Sequence, residues 1–65
     1  MRITFLPQGN EVEIDGRHKV REILHKLDLI PGTVMVIRND FLVPDNEMLE
    51  SDDTVEIRSV ISGGL

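Results

Sequence analysis

A single amphipathic segment near the middle of the chain limits the folds that are open to it. Its apolar residues recur at i, i+3, i+4 and i+7, which places them on one stripe of a helix of about ten residues: Val20, Ile23, Leu24 and Leu27. Residues 29–32, which contain Pro31 and Gly32, are expected to end this helix. Elsewhere the apolar residues follow strand patterns. One helix among several strands can bury its stripe only against a sheet.

Two strands are predicted before the helix. Residues 1–6 and residues 11–15 both alternate between apolar and polar side chains, the period of a half-buried strand. The segment between them contains Pro7 and Gly9, which favour a chain reversal. The sequence therefore predicts an antiparallel hairpin.

The second half of the chain predicts three more extended segments. Residues 33–38 and 41–43 are two β-rich runs joined by a two-residue turn, and Pro44 marks the second run as an edge strand. Residues 45–49 are expected to form a single helical turn that brings Met48 and Leu49 inward. The last strand is expected to begin near Thr54.

Together these segments predict an α+β fold in which one helix crosses one face of a mixed sheet of four to five strands. Residues 1–61 are assigned to this domain and residues 62–65 to a flexible tail. Fifteen apolar side chains are predicted to form the core: Ile3, Phe5, Val12, Ile14, Val20, Ile23, Leu24, Leu27, Leu29, Val34, Val36, Leu42, Leu49, Val55 and Ile57.

Composition narrows the class of function. The formal net charge of −5 argues against nucleic acid as a partner and favours a basic partner surface. The chain has no cysteine, which fits a reducing cytoplasm, and no apolar run long enough for a membrane span. His18 and His25 have no third ligand nearby, so no metal site is expected. The basic residues at 17–19 lie where a helix dipole disfavours positive charge. Either tertiary packing overrides this cost or the cluster serves a partner.

The final strand leads directly into Ser62, Gly63 and Gly64. Two consecutive glycines give a thin and flexible peptide, and strand pairing at its base would hold it while its tip stays free. This arrangement suits a partner that must grip the peptide and reach a carbonyl carbon at its end. The four residues 61–64, when extended, would reach roughly 13 Å into a narrow channel.

The chain resembles the ubiquitin-like β-grasp sulfur carriers of the ThiS/MoaD type from Met1 through Gly64. The resemblance rests on residues 20–24 of the helix, on residues 36–44 of the second hairpin, on residues 53–57 at the start of the last strand, and on the closing Ser-Gly-Gly. The order of these segments in so short a chain is the specific part of the match. The Val-Pro pair after the hairpin favours the ThiS branch.

The resemblance implies that the C-terminal carboxylate of Gly64 is the working group. A ubiquitin-activating-type enzyme would adenylate it with ATP, and a sulfur donor such as a cysteine desulfurase would lead to a thiocarboxylate. The sulfur would then pass to thiazole synthase in thiamin biosynthesis or, for a MoaD-like small subunit, to the large subunit of molybdopterin synthase. The chain itself would be a carrier that binds no cofactor, is not an enzyme and is a monomer when free.

Two positions depart from the family pattern. Leu65 follows the second glycine, where most members end, so it would have to be removed by a trimming protease or would be foreign to the natural chain. A third possibility is that the chain is not activated at all. Asp52 stands where the family usually has glycine, and we expect a small cost because Asp tolerates left-handed backbone.

The outward face of the last strands is the predicted docking surface for the activating enzyme. If Val34 and Val36 face the helix, then Met35, Ile37, Arg58 and Val60 form a mixed apolar patch near the tail. Two other functions remain open at this stage. One is a protein modifier joined through Gly64 to lysines, and the other is a β-grasp interaction module whose Gly-Gly is incidental.

Overall fold

The computed structural model describes residues 1–60. Within them a mixed sheet of five strands has the order β2-β1-β7-β4-β5, and a two-stranded sheet pairs β3 with β6. The strands are β1 Arg2–Leu6, β2 Asn10–Glu13, β3 His18–Lys19, β4 Val34–Arg38, β5 Phe41–Leu42, β6 Met48–Leu49 and β7 Thr54–Ser59, and the helix is α1 Val20–Lys26. This is the ubiquitin-like β-grasp architecture that the sequence predicted.

The first and last strands lie side by side at the centre of the larger sheet. β1 and β7 are parallel, and their register pairs Ile3 with Val55 and Phe5 with Ile57. β7 is antiparallel to β4 on its other side, where Val36 lies opposite Ile57. Because paired residues share a face of a sheet, these side chains all point to the same side, which is the side that the helix covers.

The core lies between α1 and this face of the sheet. Nine apolar side chains are buried: Met1, Ile3, Val20, Ile23, Leu24, Val36, Leu49, Val55 and Ile57. Phe5, Val12, Ile14, Leu27, Leu29, Val34 and Val43 pack around them and are partly buried. The predicted core is confirmed at fourteen of its fifteen positions and is wrong at Leu42, which is 64% exposed. Met1 and Val43 are additional members that the sequence prediction omitted.

The helix is shorter than expected and ends before the proline. It comprises seven residues, and Asp28 follows it in the left-handed region with φ of 58°. The Asp28 N–H donates to the His25 carbonyl at 3.1 Å, and the Leu29 N–H donates to the Leu24 carbonyl at 2.8 Å. These two bonds form a Schellman motif, which closes the helix at Lys26, five residues before Pro31.

The predicted helical turn at residues 45–49 is wrong. Met48 and Leu49 form β6, which pairs antiparallel with β3 through the register Lys19↔Met48 and His18↔Leu49. Leu49 still turns inward and is fully buried, as the sequence suggested. The long-range partner at residues 18–19 explains the difference, because strand pairing satisfies backbone groups that an isolated helical turn would leave open.

Arg38 at the end of β4 fastens the loop before β7 to the sheet. Its guanidinium donates to Glu47 Oε2 at 2.7 Å, to the Met48 carbonyl at 3.1 Å and to Asp53 Oδ2 at 3.4 Å. Asp53 Oδ2 also accepts the Glu50 N–H at 2.8 Å. Asp52 in this loop is not among the residues with positive φ in the described part of the chain, so the predicted backbone cost at Asp52 is wrong.

No helix within residues 1–60 is both long enough and apolar enough to cross a membrane.

Candidate functional site

The side of the larger sheet that faces away from α1 is the candidate functional surface, and we call it the open sheet face. Along β7 the burial alternates, with Val55 and Ile57 buried beneath the helix while Glu56 and Arg58 are exposed. Cross-strand partners extend this pattern to the neighbouring strands. The open sheet face therefore carries the following residues besides Thr4 and Glu56: Leu6, Met35, Ile37, Leu42, Arg58 and Val60.

The structure brings the four sequence-predicted docking residues together on this face. Met35 on β4 lies directly opposite Arg58 on β7, and Ile37 lies opposite Glu56. Val60 follows β7, and its N–H donates to the Thr33 carbonyl at 3.1 Å, which continues the pairing between the two strands. Met35 and Ile37 therefore face away from α1 in the structure, which is the orientation that the predicted patch required.

Two further apolar residues, Leu6 and Leu42, belong to the open sheet face. Leu6 is the registered neighbour of Arg58 across the parallel β1–β7 pair. Leu42 on β5 is the partner of Ile37 and is 64% exposed. A signal for Leu42 was present in the sequence: a two-residue turn at Asn39-Asp40 pairs Ile37 with Leu42, so the two side chains must share a face.

The patch is concentrated at the end of the sheet where the chain leaves it. β1 and β7 run parallel, so Leu6 and Arg58 both lie near the carboxyl ends of their strands. β4 runs the other way, which brings Met35, near its beginning, to the same end. Val60 is the last described residue and lies beside them. The predicted tail residues Ser62, Gly63 and Gly64, and Leu65 after them, lie outside the described residues.

The open sheet face carries both signs of charge, and its two arginines differ in their pairing. Within residues 1–60 the guanidinium of Arg58 forms no ion pair, whereas Arg2 at the far end of the sheet lies 3.7 Å from Glu11 and 3.8 Å from Glu13. An unpaired cation beside apolar side chains can contribute both packing and a charge-assisted hydrogen bond to a partner. Such a mixed patch is typical of protein–protein contact surfaces.

The two histidines do not form a metal centre in the described part of the chain, where no group of three or more His, Cys, Asp or Glu side chains is arranged to hold a metal ion. His18 Nε2 lies 2.9 Å from the Asp15 carbonyl oxygen, and its Nδ1 lies 3.7 Å from Glu22. His18 thus packs at the start of the helix, where Glu22 also accepts the Lys19 N–H at 2.8 Å.

The hydrogen bond from the Lys19 N–H to Glu22 caps the start of α1, where Lys19 itself is not a preferred N-cap residue. It is half of a capping box, in which a carboxylate in the first turn reaches back to the backbone. The hydrogen bond lowers the pKa of Glu22 below its ordinary value, and the nearby charges of His18, Lys19 and Arg21 lower it further, while partial desolvation opposes them. The carboxylate also places negative charge where the helix dipole favours it.

The fold and the position of the candidate surface define a small ubiquitin-like β-grasp protein whose open sheet face extends to Val60, the last described residue. The family model of the ThiS family matches residues 3–64, and the chain belongs to this family. The match extends through Gly64 and leaves out Leu65.

Two relatives are similar to this chain. A protein of Thermus thermophilus named sulfur carrier protein TtuB is 40% identical over 65 residues, which covers 98% of this chain and 100% of the relative. An uncharacterized protein of Archaeoglobus fulgidus is 39% identical over 54 residues, which covers 83% of this chain and 78% of the relative.

Proposed function

We propose that this protein is a sulfur carrier, and that the carboxylate of Gly64 is the group that carries the sulfur. The observation that supports this most directly is the family match over residues 3–64, which ends at the second glycine. The 40% identity to a sulfur carrier protein across the full length of that relative gives further support. The protein is proposed to act as a co-substrate of other enzymes and not as a catalyst.

The chemistry at Gly64 requires activation. A carboxylate is a poor electrophile, so a ubiquitin-activating-type enzyme would join it to AMP from ATP with release of pyrophosphate. The outer sulfur of a persulfide on a donor such as a cysteine desulfurase would displace AMP and form an acyl disulfide. A second thiol would then cleave the S–S bond, which leaves the thiocarboxylate on Gly64 and a disulfide on the donor side. Glycine at 63 and 64 suits this step because no side chain obstructs the approach of the nucleotide to the carbonyl carbon. The proposed compartment is the cytoplasm, where ATP is available.

Leu65 follows Gly64, so the peptide bond between them must be cut before Gly64 has a free carboxylate to activate. A trimming protease is therefore part of the proposal. It would cut the Gly64–Leu65 peptide bond with water and expose the carboxylate of Gly64.

The open sheet face is the proposed docking surface for the activating enzyme. Met35, Arg58 and Val60 lie at the end of the sheet from which the chain continues towards Gly64. Binding at that end would fix the base of the tail at a set distance from the catalytic centre of the enzyme. A half-exposed Val60 and an exposed Leu42 offer apolar area that gains free energy when a partner covers it.

The acceptor proposed for the sulfur is a cofactor-biosynthetic synthase, with thiazole synthase of thiamin biosynthesis favoured over the large subunit of molybdopterin synthase. The support is the match to the ThiS family model. A strain that lacks this gene should need added thiazole for growth if the favoured acceptor is right. Loss of molybdopterin-dependent enzyme activities without a requirement for thiazole would favour the second acceptor.

The deciding experiment is the intact mass of the untagged protein purified from its native host. We expect a species that ends at Gly64, part of which is heavier by the exchange of one oxygen for one sulfur. A Gly64→Ala variant expressed at the same level is the matched control and should show no such exchange. A single unmodified species ending in Leu65, in cells starved of thiamin and molybdopterin, would refute the proposal.

A further inference from the structure

The outer surface of α1 concentrates positive charge on an otherwise acidic protein. Residues 17–26 contain four of the seven Lys and Arg residues but only one of the twelve Asp and Glu residues. This segment therefore has a formal charge of +3, while the rest of the chain has −8. Both histidines of the chain also lie in this segment.

The two cations on α1 have no partner within residues 1–60. The side chains of Arg21 and Lys26 take part in no hydrogen bond or ion pair there, and neither does that of His25. In contrast, Arg17 lies 3.0 Å from Glu50, and Arg38 lies 2.7 Å from Glu47. Arg17 and Arg38 are thus held by acidic residues of the fold, whereas Arg21 and Lys26 remain available on the surface of the helix.

Arg21 and Lys26 lie at a shallow, open depression on the surface. Five side chains line a surface concavity of about 590 Å³: His18, Arg21, Glu22, His25 and Lys26. Arg21, Glu22, His25 and Lys26 are exposed, and they lie on the side of α1 opposite its buried residues. The aliphatic stems of Arg21 and Lys26 can cover an apolar part of a ligand while their charged ends bind its carboxylates.

We infer that this surface, here named the basic helix face, binds an acidic peptide segment of a protein partner. The binding surface is separate from the open sheet face, because α1 and the open sheet face lie on opposite sides of the same sheet. A partner bound at the helix leaves Met35, Arg58 and Val60 accessible. The carrier can then be held by one protein while a second protein engages its sheet and tail.

The charge distribution favours a peptide over a nucleic acid. A helix of this length is only about 10 Å long, so a nucleic acid strand would continue past it onto surface that carries the remaining charge of −8. Glu22 within the depression would also repel a continuous row of phosphates. A peptide can place isolated carboxylates beside Arg21 and Lys26 and avoid Glu22.

The test is an NMR titration of the full chain with a short acetylated and amidated polyglutamate peptide. We expect amide shifts centred on residues 17–26 that weaken as salt screens the charges. Arg21→Glu and Lys26→Glu should each weaken the apparent affinity roughly five- to tenfold. Arg58→Glu makes the same change of net charge on the open sheet face, and it should change the affinity by less than about twofold.

Amide dispersion in the same spectra shows whether each variant is folded, and Arg21→Gln and Lys26→Gln replace any variant that is not. The inference is overturned by an absence of shifts or by shifts centred on the open sheet face. An equal loss of affinity in Arg58→Glu also overturns it, since net charge alone would then explain binding. Tighter binding of an oligothymidylate of matched charge would assign the surface to nucleic acid instead.

Discussion

Arg38 donates a hydrogen bond of 2.7 Å to Glu47 and thereby joins the end of a central strand to a loop nine residues further along the chain. The same guanidinium binds the Met48 carbonyl and Asp53. The side chain of Arg38 is 22% exposed, so these bonds are partly shielded from water. A single side chain therefore organises the loop that carries β6.

Replacement of Arg38 by Met should lower the free energy of unfolding by about 1–3 kcal/mol, because a partly buried carbonyl and two carboxylates lose their donor. Arg58→Met is the matched control: its guanidinium is exposed and unpaired within residues 1–60, so we expect a change within about 0.5 kcal/mol. Urea unfolding of both variants provides the measurement. Equal effects would show that the Arg38 bonds contribute no net stability.

The turn between β4 and β5 should tolerate glycine better than its own aspartate. Asn39 and Asp40 have φ of 54° and 67°, the two positive values of a type I′ turn. Asp40→Gly removes the steric cost of left-handed backbone and should raise the free energy of unfolding by about 0.5 kcal/mol.

Asp52→Gly is the control for this prediction. Asp52 is not among the positive-φ residues of the described chain, so glycine there should only increase the freedom of the unfolded state and lower stability by about 0.5 kcal/mol. Thermal unfolding of the two variants compares them directly. A gain at Asp52 would contradict the backbone assignment of the loop.

The carboxylate of Glu22 should make stability depend on pH. Its folded-state pKa is lowered, chiefly because it accepts the Lys19 N–H, so its stabilising effect is present above the ordinary value near 4.5 and is lost as pH falls through the folded pKa. Wild type should be more stable than Glu22→Gln at neutral pH, and the difference should disappear in acid.

The measurement is the urea midpoint of wild type and Glu22→Gln across the acid range. Gln can still accept the backbone N–H, so the comparison isolates the charge. Glu56→Gln is a suitable control, since the Glu56 side chain is exposed and forms no hydrogen bond or ion pair within residues 1–60. A gap between wild type and Glu22→Gln that persisted unchanged at low pH would argue against this linkage.

The hairpin of β4 and β5 offers a sharp test of the open sheet face. Leu42 lies on this face opposite Ile37, whereas Phe41 projects to the other side and is 74% exposed. With the open sheet face as the proposed docking surface, Leu42→Asp should slow adenylation of the Gly64-terminated protein by about tenfold. The reason is that a charge would then be buried in the contact with the activating enzyme. Phe41→Asp should leave the rate within about twofold.

Pyrophosphate exchange catalysed by the activating enzyme measures both rates, with the Gly64-terminated chain as substrate. Both side chains are exposed, so neither substitution should unfold the protein. Equal rates for the two variants would remove Leu42 from the docking surface.

Much of the fold could be predicted from the sequence because each long element has a clear hydrophobic period. The parity of β7, with Val55 and Ile57 inward, was correct because six alternating residues specify one face. β4 is an unbroken apolar run, so its own sequence left the parity open; its register with β7 places Met35 and Ile37 on the open sheet face. The one helix was found from its stripe at Val20, Ile23 and Leu24, which are all buried.

The errors occur where local sequence carries too little information. A two-residue strand such as β6 has no period, and its partner β3 lies about thirty residues earlier, so local capping residues at 45–46 suggested a helix instead. α1 ends where Asp28 adopts a left-handed backbone conformation. Glycine is the usual residue at such a position, so aspartate gave a weaker signal for the end of the helix. Leu42 was wrongly assigned to the core because it is hydrophobic, whereas its pairing with Ile37 across the hairpin places it on the open sheet face.

The central position of β7 has a mechanical consequence. Five residue pairs join β7 to β1 and five join it to β4, so both edges of the strand are occupied. A pulling force applied along β7 from its carboxyl end acts across these hydrogen bonds and loads them together, in shear, instead of opening them one after another. The strand that leads to the C-terminal segment is thus the one best placed to resist extraction.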